Sequence, residues 1–204
     1  MKQLPNLLTG LRLLLSLFVF LALAVVGGAW PGWRPDLGPG AALELAAFAA
    51  FVFAAVTDFF DGWLARRLDA VSLWGKILDP IADKVLICAA VLGLLTLPAS
   101  AAIAIPAGLI LFREFAVGAL REVTAGRGVA LPVTLLAKWK TTLQLVALGA
   151  ELIVAAWPAF GLPAFMRTSA ALGAHALLWL AAAVTLITGA QYLAQARRGL
   201  KEPG

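Results

Sequence analysis

Six apolar segments, each long enough to cross a lipid bilayer, constrain this chain more than any other feature of its sequence. Runs of about 18 or more apolar residues are typical of transmembrane helices, and hydrophobic residues occupy 62% of the 204 positions. The predicted spans are residues 10–29, 41–58, 79–97, 100–118, 141–157 and 170–193. These segments predict an all-α integral membrane protein with six transmembrane helices, forming one domain over residues 1–204.

The basic residues lie almost entirely on one side of the predicted bundle. If the N-terminus is inside, all 16 lysines and arginines except Arg34 and Arg167 fall on the inner side. Cytoplasmic loops carry such an excess of positive charge, so both termini are predicted to face the cytoplasm. The net charge of +5 suits anionic membrane lipids. Nucleic acid is not an expected partner, because the charge borders apolar spans.

Cysteine and histidine cannot build a metal centre in this chain. Cys88 is the single cysteine and His175 the single histidine, which also excludes an intrachain disulfide. Each lies within an apolar run, where a packed side chain is the ordinary interpretation. A metal ion bound by this protein must therefore be held by carboxylates.

Four aspartates fall close together at the ends of two predicted spans: Asp58, Asp61, Asp79 and Asp83. The first two are three residues apart and the last two are four apart, so each pair shares one face of a helix. Two helices that each present two carboxylates can converge on hard divalent cations, which prefer oxygen ligands. A carboxylate at the bilayer edge is costly unless it is paired or bound to a cation. The alternative is a salt-bridge network with nearby basic residues, namely Arg66, Arg67, Lys76 and Lys84.

Small residues lie beside the aspartates. Gly62 and Ala65 are one helical turn apart, and Gly75 is one turn before Asp79. A helical glycine costs roughly 1 kcal/mol relative to alanine, so the close approach of a ligand is one use for it. Close packing between membrane helices is the other use, and the residues alone leave both open.

One spaced pattern includes all of these positions: Asp58-x2-Asp61-Gly62-x2-Ala65-Arg66-x8-Gly75-x3-Asp79-x3-Asp83. It resembles the full signature of the CDP-alcohol phosphatidyltransferase family, with every fixed position present. The resemblance implies a six-helix membrane fold, usually a homodimer, with a two-metal site for Mg²⁺ or Mn²⁺ that opens to the cytoplasm. Enzymes of this family transfer a phosphatidyl group from a CDP-linked lipid to an alcohol and release CMP.

The resemblance implies a role for each matching residue. Asp58, Asp61 and Asp79 would be metal ligands, and Asp83 would complete the metal site and act as general base on the acceptor hydroxyl. A second set would bind CDP-diacylglycerol, comprising Asn6, Thr9, Arg12, Gly62, Ala65, Arg66 and Gly75. These roles agree with phosphoryl-transfer chemistry, which asks a protein mainly for positioning and charge stabilisation.

Two further segments bear on the acceptor alcohol: Arg113-Glu114-x6-Arg121-Glu122 and Lys138-Trp139-Lys140-Thr141-Thr142-x-Gln144. The arginines are two helical turns apart on one side of a helix, and the lysines precede a span, where a helix N-terminus favours phosphate. An acceptor that bears a phosphate would explain these cations. The positive-inside rule would place cations here for any substrate, so the charges alone do not decide.

Both segments are similar to parts of bacterial phosphatidylglycerophosphate synthases, as is Pro5-Asn6-x2-Thr9-x2-Arg12. This resemblance spans residues 4–144 and implies glycerol 3-phosphate as acceptor in a bacterial inner membrane. The residues it assigns to the acceptor phosphate are Arg113, Arg121, Lys138 and Lys140. The connection at residues 126–129 departs from the pattern because it is shorter and richer in glycine, at what would be the rim of the acceptor pocket.

Two other interpretations stay open. The same chemistry could use another acceptor, namely inositol phosphate, serine or phosphatidylglycerol. A cation transporter would instead need carboxylates within the membrane, such as Glu44 and Glu151. The four aspartates lie at span ends beside basic residues, which favours the enzyme.

Overall fold

A computed structural model describes residues 4–29, 39–67, 73–97, 101–129, 131–132 and 135–200 of the chain. All of the regular structure in these ranges is helical, which confirms the predicted all-α class there. The elements are α1 (Leu4–Val26), α2 (Pro39–Arg67), α3 (Leu73–Thr96), α4 (Ala101–Gly126), α5 (Leu135–Ala155) and α6 (Arg167–Gly199), with a short 3-10 helix at Ala164–Met166.

Four described segments are long and apolar enough to cross a membrane. They are Leu7–Val26, Gly40–Asp58, Ala102–Gly126 and Ala164–Gly199. Charged residues occur inside the other two helices, such as Asp83 and Lys84 in α3 and Lys140 in α5. The six predicted spans are therefore supported at four places, and membrane crossing by α3 and α5 stays a prediction.

Several helices continue beyond the apolar segments that predicted them. The helix α2 runs past Asp58 to Arg67, and α4 runs past residue 118 to Gly126. Hydropathy falls where charged residues begin, but a helix ends only where its backbone hydrogen bonding is broken. As a result Asp58 ends the apolar segment, and the later signature positions of α2 lie on helix that extends beyond it.

The described helices group into two compact units. The first comprises Met1–Ala99 and Leu148–Ala174, and within it α1 packs against both α2 and α3. Most buried apolar residues of these helices are alanine or valine, among them Val19 and Ala22 of α1, Ala47 and Ala54 of α2, and Ala82, Ala90 and Val91 of α3. Small side chains let membrane helices approach closely, so polar residues on the same three helices can also meet.

The second unit comprises Ser100–Ala147 and His175–Gly204. It therefore contains α4, the first part of α5 and most of α6. Its apolar core includes side chains that are at most 1% exposed, among them Ala107, Ile110, Ala147, Leu178 and Ala182. Polar side chains connect the three helices of this unit, as described below.

A glycine turn ends α4. The N–H of Gly128 donates to the carbonyl of Ala125 at 3.0 Å, and the N–H of Val129 donates to the carbonyl of Thr124 at 2.9 Å. Gly128 has a φ of 73°, the left-handed conformation that closes a helix C-terminus in this way. The glycine-rich connection at residues 126–129 is thus explained by its role as a helix stop.

Candidate active site

The predicted donor-site residues lie on α1, α2 and α3 of the first unit. Asp58 and Asp61 belong to α2, while Asp79 and Asp83 belong to α3, so each pair is helical as its spacing predicts. Side chains are described for Thr9, Arg12, Asp58 and Asp83. Those of the remaining predicted residues lie outside the described set, namely Asn6, Asp61, Gly62, Ala65, Arg66, Gly75 and Asp79.

One guanidinium nitrogen joins the two halves of the signature. Nη1 of Arg12 lies 2.7 Å from Oδ1 of Asp58 and 3.2 Å from Oδ1 of Asp83. The Arg12 side chain is only 1% exposed, whereas those of Asp58 and Asp83 are 35% and 37% exposed. Carboxylates from two helices therefore converge on one positive charge while keeping access to solvent.

The face of α1 that carries Arg12 changes from polar to apolar along the helix. Thr9, Arg12 and Ser16 are all at most 1% exposed, and Val19 and Leu23 continue the same stripe. Such spacing places them on one helical face. The hydroxyl of Ser16 donates to the Arg12 carbonyl at 2.8 Å, so its own polarity is satisfied within the helix. The buried stripe thus places the guanidinium of Arg12 beside the aspartates of α2 and α3.

A second polar cluster lies in the second unit and is centred on Arg113. Nε of Arg113 donates to the carbonyl of Thr185 at 3.1 Å, and Nη2 donates to Oγ1 of Thr188 at 3.0 Å. Its Nη1 donates to Oε1 of Glu114 at 3.2 Å. The residue is 7% exposed. Three fixed acceptors on α4 and α6 therefore hold this guanidinium in one orientation.

Glu114 connects that arginine to α5. The same Oε1 also accepts hydrogen bonds from Nζ of Lys140 and, at 3.2 Å, from Nε2 of Gln144. The Gln144 amide donates further to Oγ1 of Thr185 at 2.7 Å. Glu114, Lys140 and Gln144 are at most 8% exposed. Two buried cations thus share one carboxylate, and the three charged groups together keep a positive charge.

Gly189 and Tyr192 of α6 complete the surroundings of Arg113. A Cβ at Gly189 would lie 2.9 Å from Cγ of Arg113, so the missing side chain is what lets the arginine lie across α6. The ring centroid of Tyr192 is 5.7 Å from the guanidinium carbon of Arg113 and 5.4 Å from that of Arg121. Both distances are within the range of a cation–π interaction.

Arg121 is exposed, unlike the two other described residues that are predicted to bind the acceptor phosphate. Arg113 and Lys140 are buried, and the side chain of Lys138 lies outside the described set. Arg121 borders an open cavity of about 470 Å³, together with Thr124 and Gly128. The glycine turn that ends α4 therefore forms part of the wall of this cavity.

Comparison with known proteins identifies the family. The model of the CDP-alcohol phosphatidyltransferase family matches residues 2–187. The chain belongs to the CDP-alcohol phosphatidyltransferase family. This match confirms the resemblance that was drawn from the spaced aspartates. Because the family consists of transferases, it gives no support to the alternative of a cation transporter.

Three curated relatives of this phosphatidyltransferase share the name CDP-diacylglycerol–glycerol-3-phosphate 3-phosphatidyltransferase. A relative from Cereibacter sphaeroides is 35% identical, over 98% of each chain. One from Bacillus subtilis is 34% identical, also over 98% of each chain. One from Rickettsia bellii is 43% identical, over 70% of this chain and 74% of its own. The similarity therefore extends through both compact units.

Members of the CDP-alcohol phosphatidyltransferase family generally depend on divalent cations. The described residues include no cluster of three metal-binding side chains, since Asp61 and Asp79 fall outside the described side chains. What is described fits a hard cation, because Asp58 and Asp83 offer carboxylate oxygens from two helices at one partly exposed point.

Some residues of this phosphatidyltransferase were not found by inspection of the sequence. The last span offered no recognisable motif, yet Thr185, Thr188, Gly189 and Tyr192 surround Arg113. Their positions recur at helical spacing within an otherwise apolar helix, which is the signal that could have indicated a buried polar face. The contact of Arg12 with Asp83 has no local sequence signal either, because it joins residues 71 positions apart.

Proposed function

We propose that the protein transfers the phosphatidyl group of CDP-diacylglycerol to glycerol 3-phosphate, giving phosphatidylglycerol phosphate and CMP. The convergence of Asp58 and Asp83 from two signature helices on one charged point carries the proposal. Family membership supports the reaction type. The relatives' shared name, over almost the whole chain in two cases, supports the acceptor.

Asp83 is the general base in this proposal. Its carboxylate takes the proton from the acceptor's attacking hydroxyl, the oxygen bonds to the phosphorus attached to diacylglycerol, and the bond from that phosphorus to CMP breaks. Asp83 is suited to this because its side chain is 37% exposed and can meet a substrate hydroxyl. Arg12 holds the carboxylates of Asp58 and Asp83 close together before the substrate binds.

The four signature aspartates also hold two Mg²⁺ or Mn²⁺ ions in this proposal, with Asp58, Asp61 and Asp79 as ligands and Asp83 completing the site. When bound, these ions would neutralise the pyrophosphate and ease departure of CMP. The remaining donor residues hold the cytidine nucleotide and its phosphates, namely Asn6, Thr9, Arg12, Gly62, Ala65, Arg66 and Gly75.

The acceptor phosphate binds to the cations of the second unit. Arg121 borders a cavity of about 470 Å³, a volume within the usual range for small-ligand sites, about 300–1,000 Å³. A guanidinium matches the geometry of phosphate oxygens and forms strong charge-assisted hydrogen bonds. Arg113, Lys138 and Lys140 supply further positive charge. An acceptor that carries a phosphate is therefore favoured over one that lacks it, such as serine.

The wider architecture is proposed in the same terms. The chain forms one domain over residues 1–204 and crosses a bacterial inner membrane six times, with α3 and α5 among the spans. Both termini and the site face the cytoplasm, where the basic residues are concentrated. The protein works as a homodimer, as the family resemblance implies.

The experiment that tests the proposed function compares acceptors. The protein, purified in mixed micelles with CDP-diacylglycerol and Mg²⁺, is assayed for CMP release with glycerol 3-phosphate, inositol phosphate, serine and phosphatidylglycerol. Glycerol 3-phosphate is expected to give a kcat/KM at least about 100-fold above that of each other acceptor. A higher value with any other acceptor would overturn the assignment of glycerol 3-phosphate while leaving the transfer chemistry in place.

A further inference from the structure

Tyr192 is the chain's single tyrosine and lies on α6, five residues beyond the end of the family match at residue 187. Its side chain is 3% exposed. Most of the neighbouring positions of α6 carry apolar or small side chains. A buried tyrosine usually combines apolar packing with a specific polar contact. The contacts of its ring indicate what this one does.

Two arginine side chains face the same ring. The guanidinium carbons of Arg113 and Arg121 lie 5.7 Å and 5.4 Å from its centroid. The electron-rich face of an aromatic ring attracts a guanidinium cation placed over it. Tyr192 therefore attracts the side chains of both Arg113 and Arg121.

The two arginines differ in how firmly they are held. Arg113 is buried and donates hydrogen bonds to Thr185, Thr188 and Glu114. Arg121 is exposed and borders the cavity of about 470 Å³. An exposed arginine has many rotamers, and ordering it when a ligand binds reduces affinity. The tyrosine ring connects the exposed guanidinium to the rigid one.

We propose that Tyr192 is a positioning residue that holds Arg121 toward the cavity, ready for the phosphate of the acceptor. The inference rests on the proposed function, because it assigns that phosphate to Arg121. Tyr192 acts through Arg121 and not on the reacting atoms. Its loss therefore weakens binding of the acceptor and leaves the chemical step and the lipid donor unaffected.

The first experiment removes the ring. Tyr192→Leu is expected to raise the KM for glycerol 3-phosphate about three- to tenfold, with kcat and the KM for CDP-diacylglycerol changed less than about twofold. Tyr192→Phe keeps the ring and is expected to restore the parental KM. Trp179→Leu removes another aromatic ring from α6, one that is 44% exposed, and is the matched control for loss of an aromatic side chain.

A double-mutant cycle tests whether the effect passes through Arg121. In an Arg121→Ala background, Tyr192→Leu is expected to raise the KM for glycerol 3-phosphate by less than about twofold, because the side chain it positions is gone. An unchanged KM in the single Tyr192→Leu variant would overturn the proposal. So would a KM increase that persists at full size in the Arg121→Ala background.

A third measurement avoids any loss of folding. Because the chain has one tyrosine, growth on 3-fluorotyrosine changes a single side chain, and fluorine withdraws electron density from the ring face. The KM for glycerol 3-phosphate at pH 6.5 is expected to rise about two- to fourfold. The Tyr192→Phe protein grown on the same medium is the control. An unchanged KM in the fluorinated protein contradicts the inference, whereas failure to use glycerol 3-phosphate at all contradicts the proposed function.

Discussion

Glu114 balances the charge of two buried cations, Arg113 and Lys140. A single oxygen of its carboxylate accepts from Arg113, Lys140 and Gln144, and all four residues are at most 8% exposed. Removing one partner from a buried ion pair leaves an uncompensated charge, which costs far more than the pair itself contributes. The carboxylate of Glu114 is therefore expected to contribute more to the free energy of unfolding than the exposed carboxylate of Glu122 on the same helix.

Glu114→Gln is predicted to lower the free energy of unfolding by about 3–5 kcal/mol, because two buried cations lose their shared carboxylate. Chemical unfolding in detergent micelles measures this. The control is Glu122→Gln, an exposed residue of the same helix, for which a change within about 0.5 kcal/mol is expected. Equal stability of the two variants would contradict the role given to Glu114.

At the scale of elements, the missing side chain of Gly189 lets Arg113 of α4 lie directly against α6. Arg113 reaches Thr185 and Thr188 by lying across Gly189, where a Cβ would be 2.9 Å from its Cγ. Arg113 cannot easily yield, since its guanidinium is held by three hydrogen bonds. Gly173 lies on the same helix with no atom within 4 Å of the corresponding position.

This difference gives a matched pair of alanine variants. Helix propensity alone favours alanine over glycine by about 1 kcal/mol, so Gly173→Ala is predicted to raise the unfolding free energy by up to that amount. Gly189→Ala is predicted to lower it by about 1–3 kcal/mol through overpacking and to raise the KM for glycerol 3-phosphate. Thermal and chemical unfolding measure the first effect, and acceptor titration the second. If both alanine variants were stabilised equally, the close contact between Gly189 and Arg113 would have no effect on stability, which contradicts this explanation.

The helices also show what local sequence can predict. Spacing was enough to predict the aspartates as two pairs, one on α2 and one on α3. Within a helix, separations of three and four residues fix a common face. The contacts of Arg12 with Asp83 and of Arg113 with Thr185 join residues 71 and 72 positions apart. Such contacts depend on how helices pack, which no local pattern contains. The ends of α2 and α4 were predicted poorly for a different reason, because hydropathy does not report where the backbone hydrogen bonding of a helix stops.

At the scale of the whole molecule, the asymmetry of charge is the main guide to orientation. Arg34 and Arg167 are the two basic residues predicted on the outer side, and Lys2 and Lys201 are near the two inner termini. An even number of spans is required if both termini share a side. The four spans found among the described residues and the six predicted ones both satisfy that requirement, so labelling at intermediate positions is needed.

Single cysteines in a Cys88→Ser background report the topology. On intact cells, a membrane-impermeant maleimide is predicted to label cysteines at positions 34 and 167, and to label those at positions 2 and 201 only after permeabilisation. A cysteine at position 98, in the predicted outer turn between α3 and α4, tests whether α3 crosses the membrane. Labelling of position 98 only after permeabilisation would exclude the six-span arrangement.

The Asp83→Asn variant tests whether the carboxylates beside Arg12 perform phosphatidyl transfer. CMP release is measured with saturating CDP-diacylglycerol, glycerol 3-phosphate and Mg²⁺, together with an unfolding curve for the purified variant. Asp69→Asn, an aspartate between the two signature pairs but outside the pattern, is the control. We predict that Asp83→Asn folds but loses about 10²–10⁴-fold in kcat, while Asp69→Asn keeps its activity. Full activity in the Asp83→Asn variant would contradict this account.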